Sequence, residues 1–288
     1  MKILVTGHTG FVGRAVTSAI RAYEHQVVGV SRTVDNALHF QQIAKPYAEL
    51  STTELNSLKL DAVIHCAWIV TPGIYLESAE NIAYANESLS FLSKCTDVGV
   101  PRFLGVGSCA ELVKELDSPY SQAKSDFRKA GQQMTAPTGT RFDWAYLFYP
   151  YGPGEHADRL TTSLIQSLRK VGSFTLDNPS ASKDYIFIDD VADALVAIAT
   201  RATGDSAEFQ VGSGQCVTIE KIAKIVATIL QLPTTVIQKA AISRGDPVGD
   251  VIADIDSLRA IGWTPQIPLE SGLEKLSRAL IKNTSCKS

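Results

Sequence analysis

The stretch VTGHTGFVGRAV, residues 5–16, sets Gly7, Gly10 and Gly13 directly behind an apolar run that begins at Met1. A strand that ends in glycine and opens at once into a helical pattern uses the missing Cβ atoms in two ways. The chain turns tightly, and its backbone can approach a ligand above the turn. Phosphate suits that place, because unpaired N–H groups and the positive end of the helix dipole meet there. A plain glycine turn without a ligand satisfies the same three residues, so the surrounding chain has to decide between them.

Outward from this turn, short β-rich runs alternate with longer helical stretches. KILVT (2–6), QVVGV (26–30), DAVIHCA (61–67), RFLGVG (102–107) and DWAYLF (143–148) read as strands. Residues 11–24, 78–98 and 120–134 read as helices, the second stopped by Gly99 with Pro101 beyond it. The alternation predicts an α/β fold of the Rossmann type, a doubly wound parallel sheet with helices on both faces. From about Tyr151 the texture changes to Gly- and Pro-bearing loops, with helices expected near 159–170 and 218–231. The expected division is a nucleotide-binding domain over 1–150 plus about 184–211, where DYIFIDDVADALVAIA and the strand EFQV (208–211) return to the large sheet. A smaller substrate-binding domain is expected over 151–183 and 212–288, with the final KNTSCKS frayed.

At 288 residues the chain is long enough for one large or two small domains with a substantial core. Hydrophobic residues make up 45%, charged residues 20%, and the formal net charge is −3, so no nucleic-acid partner is expected. No apolar run reaches the roughly 18 residues of a membrane span, and the N-terminus enters a strand without the regions of a signal peptide. A cytoplasmic protein with no membrane partner is expected. Cys66, Cys95, Cys109, Cys216 and Cys286 are scattered, odd in number and without a Cys-x-x-Cys pair, which suits reduced thiols. The five histidines lack ligand spacing, and no metal site is expected.

The second strand ends Val30-Ser31-Arg32, with no acid to hydrogen-bond two ribose hydroxyls. Ser31 and the Arg32 guanidinium suit a 2′-phosphate, which favours NADP(H), with NAD(H) the alternative and a solvated surface arginine the competing explanation. In SPYSQAK, Tyr120 and Lys124 are four positions apart and share a helix face. A phenol with a reference pKa of about 10 needs adjustment for acid–base work near pH 7. Lys124 is expected to supply much of it and to bind the nicotinamide ribose. An aromatic core residue with a snorkelling lysine has the same spacing. Ser108 ends FLGVGS at the carboxyl end of a central strand, where its hydroxyl can polarise a carbonyl beside Tyr120.

In chain order, TGHTGFVG, DAVIHCAW, GSCAE, YSQAK, YLFYPYGPGE, KDYIFIDDVADAL, FQVGSG and RGDP resemble the motifs of the extended short-chain dehydrogenase/reductase family. The similarity is greatest to its nucleotide-sugar epimerase, dehydratase and reductase branch and covers nearly the whole length. The resemblance implies a catalytic centre at Ser108, Tyr120 and Lys124. It also implies that Asn86 of YANESLSFL supports a proton path to Lys124, an ordinary helix-face amide being the alternative. It implies a dinucleotide site built from Gly7, Thr9, Gly10, Phe11, Val12 and Gly13, from Ser31, Arg32 and Leu50, and from Cys66, Ala67 and Trp68. Tyr120, Lys124 and Phe148 complete that site. Substrate contacts are implied for Ser108 and Cys109, and Lys183 and Arg244 stand where they can hold a nucleotide diphosphate or else form surface ion pairs. Three departures stand out: a short interval from Ser108 to Tyr120, Phe148-Tyr149-Pro150 in place of an asparagine-containing segment, and Lys183 where an arginine commonly precedes DY.

Dehydratases of this branch carry Asp-Glu immediately after the catalytic hydroxyl residue, whereas this chain has Cys109 and Ala110, with Glu111 close by. Epimerisation coupled to reduction needs a further acid and base; Cys109 and His156 are candidates that also read as a buried hydrophobe and a loop residue. Plain hydride transfer needs neither. GSCAE with YPYGPGE resembles reductases of nucleotide-linked 4-keto-6-deoxyhexoses, so the expected function is NADPH-dependent reduction of such a sugar in deoxysugar biosynthesis. The alternatives are an NAD-dependent nucleotide-sugar epimerase and a non-catalytic NADP(H)-binding regulator. A homodimer through helices 78–98 and 120–134 is expected by resemblance, unless Leu89, Leu92 and Phe127 belong to the core.

Overall fold

In the computed structural model, which describes residues 1–113, 116–240 and 249–285, β1 (Lys2–Thr6) opens directly into α1 (Phe11–Ala22). There follow β2 (Gln26–Ser31), β3 (Gln41–Ala44), α2 (Thr52–Leu58), β4 (Ala62–His65) and α3 (Glu80–Asp97). Next come β5 (Arg102–Ser108), α4 (Pro119–Thr135), β6 (Arg141–Leu147) and the short β7 (Tyr149–Tyr151). The later part comprises α5 (Leu160–Lys170), β8 (Phe174–Leu176), β9 (Ser182–Lys183), β10 (Tyr185–Phe187), α6 (Ile188–Thr200), β11 (Glu208–Val211) and β12 (Val217–Thr218). It closes with α7 (Ile219–Ile229), β13 (Ile237–Lys239), α8 (Asp256–Ala260) and α9 (Leu269–Ser285).

Seven strands form one sheet in the order β11-β6-β5-β4-β1-β2-β3, and every pair is parallel. Parallel sheets need cover on both faces, which is why the central strands read as continuous apolar runs. Successive residues of β1 go to opposite layers: Ile3 and Val5 join the cluster with α1 and α6, and Leu4 joins Phe91 and Phe127 of α3 and α4. The chain runs outward from β1 through β2 to β3 and returns to start again at β4 on the other side. At such a reversal the carboxyl ends of adjacent strands leave a crevice. The strand EFQV joins the large sheet as its edge, as the sequence predicts. The remaining strands make two-stranded pairs, β7 with β10, β9 with β12 and β8 with β13, while α5, α7 and α9 pack on one another.

The differences from the sequence expectation have simple causes. Edge strand β3 and the seven-residue α2 are too short for a periodic signal. KNTSCKS is not wholly frayed, because α9 continues to Ser285 on the strength of Leu273 and Leu276, both fully buried. Leu92 and Phe127 are also fully buried, and Leu89 packs on the same cluster. Leu92 and Phe127 thus belong to the core, while Leu89 is partly exposed at its edge. Cys66, Cys95, Cys109 and Cys216 are free thiols. Among the described residues no helix is long and apolar enough to cross a membrane.

One fully buried carboxylate ties the later part together. Asp184 Oδ1 accepts the Ser213 N–H at 2.7 Å and the Ser213 hydroxyl at 2.6 Å; Oδ2 accepts the N–H groups of Gly214 and Ala253, each at 3.0 Å. Removing it orphans three backbone donors, each costing about 1–3 kcal/mol when buried. Asp184→Ala is therefore expected to lower the unfolding free energy by more than about 3 kcal/mol, read from the midpoint of urea unfolding.

Candidate active site

The three glycines at the crevice are needed for three different reasons. Gly7 has φ +67, and a Cβ there would lie 3.0 Å from Ala67 Cα beyond β4. Gly10 donates its N–H to the Gly7 carbonyl at 2.9 Å and forms the N-cap of α1. A Cβ at Gly13 would collide with the Gly7 carbonyl oxygen and lie 2.8 Å from His8 Cα, so α1 rests on bare backbone. No side chain caps α1, and its first turn holds no acid. Its N–H groups and dipole are thus directed to an external anion, a cradle that fits a dinucleotide pyrophosphate.

From this cradle a cavity of about 1160 Å³ extends over the carboxyl ends of the central strands. Its wall includes Gly7, Thr9, Gly10, Phe11, Val12 and Gly13, then Ser31 and Arg32 from the end of β2. Cys66, Ala67 and Trp68 follow β4 into it, and Ser108, Cys109, Tyr120, Lys124 and Phe148 complete the expected set.

Three expected residues stand elsewhere, and a fourth lies outside the described residues. Leu50 is fully buried in the apolar cluster with Tyr47 and Leu55, not on the cavity wall. Asn86 is exposed: α3 buries Asn81, Ala85, Ser88, Leu92 and Cys95, and position 86 falls on the opposite face. The buried asparagine is instead Asn81, whose Oδ1 accepts the Trp68 indole N–H at 2.8 Å, a role legible only from its helical spacing with Ala85 and Ser88. Lys183 is buried outside the cavity wall; its ammonium donates to the Gly249 carbonyl and lies 5.3 Å from the Tyr149 ring centroid. Arg244 lies outside the described residues.

Tyr120 and Lys124 owe their placement to the start of α4. Ser118 forms a capping box with Ser121, and Pro119 occupies the first turn, so Tyr120 enters the helix at its mouth and Lys124 follows one turn later. Both are buried, at 5% and 4% exposure. The Tyr75 ring stands edge-on to Tyr120 at 4.9 Å. Burial pushes the Tyr120 phenol up from its ordinary value, Tyr75 adds to this, and the Ser108 side chain opposes it. The Lys124 ammonium donates to the Val106 carbonyl at 2.6 Å and lies 3.7 Å from the Trp68 ring centroid. Burial draws Lys124 down from its ordinary value, and Glu111 and Cys66 oppose the change.

The two candidates for additional acid–base work separate cleanly. Cys109 is in the cavity wall, but burial pushes its thiol up to about 12, so it is not a base near neutrality. His156 is exposed beside Asp158 and is not part of the wall. Tyr75, Tyr149, Tyr185 and Arg159 line the cavity as well, the Arg159 guanidinium 5.6 Å from the Tyr75 ring centroid. Tyr75 and Arg159 lie outside regular elements and carry no periodic signal; Tyr149 is visible in YLFYPYGPGE, but its direction is not.

The sequence model of the NAD dependent epimerase/dehydratase family matches residues 3–212. A CDP-abequose synthase from Salmonella typhimurium is 26% identical, over 96% of this chain and 98% of its own length. A dTDP-4-dehydro-6-deoxyglucose reductase from Escherichia coli is 24% identical, over 99% of this chain and 98% of its own. Among solved structures, the Bacillus cereus UDP-glucuronic acid 4-epimerase in complex with UDP-glucuronic acid and NAD superposes with a TM-score of 0.82 at 20% identity. That likeness, over 98% of this chain and 100% of the other, is one of fold.

Of the chain's three tryptophans, Trp68 lines the cavity, whereas Trp144 and Trp263 are buried elsewhere. Titration with NADPH is expected to quench tryptophan emission, and Trp68→Phe to remove most of that change; an undiminished quench would place the nucleotide away from Trp68.

Proposed function

The chain belongs to the NAD dependent epimerase/dehydratase family, and from that membership we propose that it is an NADPH-dependent reductase of an NDP-4-keto-6-deoxyhexose. The observation that carries this proposal is that the glycine cradle, the Ser31-Arg32 strand end and the group Ser108, Tyr120 and Lys124 wall a single cavity.

A bound reduced nicotinamide supplies a hydride to the carbonyl carbon. Tyr120, kept as a neutral phenol by burial, gives its proton to the carbonyl oxygen. The Ser108 hydroxyl donates a hydrogen bond to the same oxygen as its charge grows. Lys124 provides the positive charge that stabilises the phenolate left on Tyr120 and is placed to hold the nicotinamide ribose.

The cofactor choice rests on the end of β2. Ser31, Arg32 and Thr33 line the cavity there. Asp35, the acid that follows them, is paired with Arg14 at 2.9 Å. A guanidinium and hydroxyls favour a 2′-phosphate over a free ribose diol. The choice of reaction rests on the turn after Ser108. Cys109 and Ala110 offer no carboxyl group to a leaving hydroxyl, and Glu111 is shut behind the wall with a side chain 1% exposed. The name of the Escherichia coli relative, a reductase of a nucleotide-linked 4-dehydro-6-deoxy sugar, supports the same chemistry. Tyr75, Tyr149, Tyr185 and Arg159 form the part of the wall proposed to receive the nucleotide sugar.

The test is NADPH oxidation against a panel of NDP-4-keto-6-deoxysugars, with product configuration at C4 assigned by NMR. Stoichiometric oxidation is expected; interconversion of C4 epimers without net oxidation would identify an epimerase instead. Tyr120→Phe should cut kcat by about 100-fold or more and leave NADPH affinity little changed, and full turnover in that variant refutes the proton donor. Arg32→Ala should weaken NADPH by about tenfold, roughly the worth of one charge-assisted contact, with NADH affinity unaffected.

A further inference from the structure

Glu111 has no part in the reduction described above, yet it is held behind Ser108 with unusual care. Its Oε1 accepts the Ser108 backbone N–H at 2.8 Å, while the Ser108 hydroxyl accepts the Ala110 N–H at 3.2 Å. This reciprocal cap fixes the turn at the end of β5. Gly107 makes room for it: a Cβ there would lie 2.5 Å from the same Oε1 and would collide with Trp144 Nε1. Oε2 is buried without a hydrogen-bond partner. Arg128 Nε, on α4, is 3.8 Å from it.

Lys124 lies one turn before Arg128 on α4. A buried ammonium held only by a carbonyl and an indole face tends to lose its proton, since desolvation penalises the charged form. The groups around it divide clearly. The Cys66 thiol is pushed by burial up to about 12 and stays neutral. His65 is held neutral by burial and by Lys124 itself. Arg128 is a cation and gives no support, and its guanidinium is matched to Glu208 at 2.7 Å. Tyr146 donates its hydroxyl to Glu208 at 2.5 Å. Glu111 is the carboxyl group placed by geometry to act on Lys124: its Oε1 accepts the Ser108 N–H at 2.8 Å while Lys124 donates to the carbonyl of Val106, two residues earlier on the same strand, at 2.6 Å, and each acts on the other's protonation.

Given the roles assigned above to Ser108, Tyr120 and Lys124, we propose that Glu111 is a positioning residue of this site, locking the Ser108 turn from behind and keeping Lys124 charged. Support for the lysine thereby passes from α3, where Asn86 faces outward, to the turn after β5. Burial raises the Glu111 carboxyl from its ordinary value; the Ser108 N–H, Lys124, Arg128 and Trp144 oppose this. The carboxyl and the ammonium therefore titrate as a pair.

The experiment uses the full chain without nucleotide or sugar, so its result is independent of whether a keto-sugar is reduced. Lysine labelled with 13C at Cε is titrated by NMR, and the Lys124 signal is assigned by its loss in Lys124→Met. Glu111→Gln keeps an oxygen for the Ser108 N–H and removes the charge. Loss of a negative neighbour disfavours the ammonium, so Lys124 should deprotonate at a pH lower by about one unit or more, a tenfold change. An unmoved Lys124 titration in this variant overturns the assignment. Should the variant not fold, the wild type decides: with 13Cδ-glutamate, the Lys124 signal must respond to the ionisation of Glu111 as well as to its own, giving a two-step curve, and a single-step Lys124 curve blind to Glu111 overturns the assignment equally. If reduction is also observed, the alkaline limb of kcat should move to lower pH in Glu111→Gln while NADPH affinity at low pH is retained.

Discussion

The position of α1 depends on a contact between two glycines. With no Cβ at Gly13, the first turn of the helix sits on the Gly7 carbonyl, and the helix runs back along β1 to pack on α6. Any side chain there would push the helix off the strand and close the crevice. Because β1 pairs with β2 on one side and β4 on the other, this contact lies at the reversal of strand order. A polar thread ties the two sides together. The Thr6 hydroxyl accepts the Ala67 N–H at 3.2 Å and hydrogen-bonds His65 Nδ1 at 2.8 Å, and His65 Nε2 reaches the Ser88 hydroxyl on α3 at 2.8 Å. Burial holds His65 at about 3, so the thread is neutral, and neutral paired groups are far cheaper to bury than charges.

Charge is concentrated at one place on the other side of the crevice. Lys124 is buried against an indole face and a carbonyl, with the Glu111 carboxyl behind the strand. Tyr120, one turn away, is pushed toward the neutral phenol by burial. In the arrangement proposed above, a neutral phenol stands beside a lysine that Glu111 keeps charged. That cation does little for a phenol and a great deal for a phenolate, so its stabilisation grows as the proton leaves. A low-dielectric wall strengthens such an interaction well beyond its worth in water.

The glycine turn, the central strands and the face shared by Tyr120 and Lys124 were legible in the sequence because each is local: a spacing, an alternation, a helical repeat. Ser108 was legible because the end of a strand at the crevice is a position set by topology. Leu50, Asn86 and Lys183 follow a different logic. Their expected roles came from resemblance, and which way each side chain faces is set by packing between distant elements. Asn86 is one step from Ala85, and that step carries it from the buried to the exposed face of α3. Lys183 is drawn toward Gly249, 66 residues away in the chain. The burial of Tyr120 is of the same kind: spacing shows that a lysine can approach, but only the packed structure shows how far desolvation pushes the phenol up.

The same scaffold can host dehydration, epimerisation or reduction, and what separates them is the number of proton-transfer groups that reach the sugar. Dehydration needs an acid for the departing hydroxyl and a base for the adjacent carbon; epimerisation beside the carbonyl needs a base on one face and an acid on the other. Around Ser108 this chain withdraws those groups. The Cys109 thiol is in the wall but neutral, and Glu111 is buried behind it, accepting the Ser108 backbone N–H. His156 points to solvent beside Asp158. Glu155, which does line the cavity, accepts the hydroxyls of Thr161 and Thr162 at the start of α5. Burial favours the protonated form of Tyr120, and the proposed role of Lys124 is to stabilise the charge left when that proton departs. One proton and one hydride added across a carbonyl need no second acid–base pair, which is why reduction is the reaction proposed for that end of the cavity.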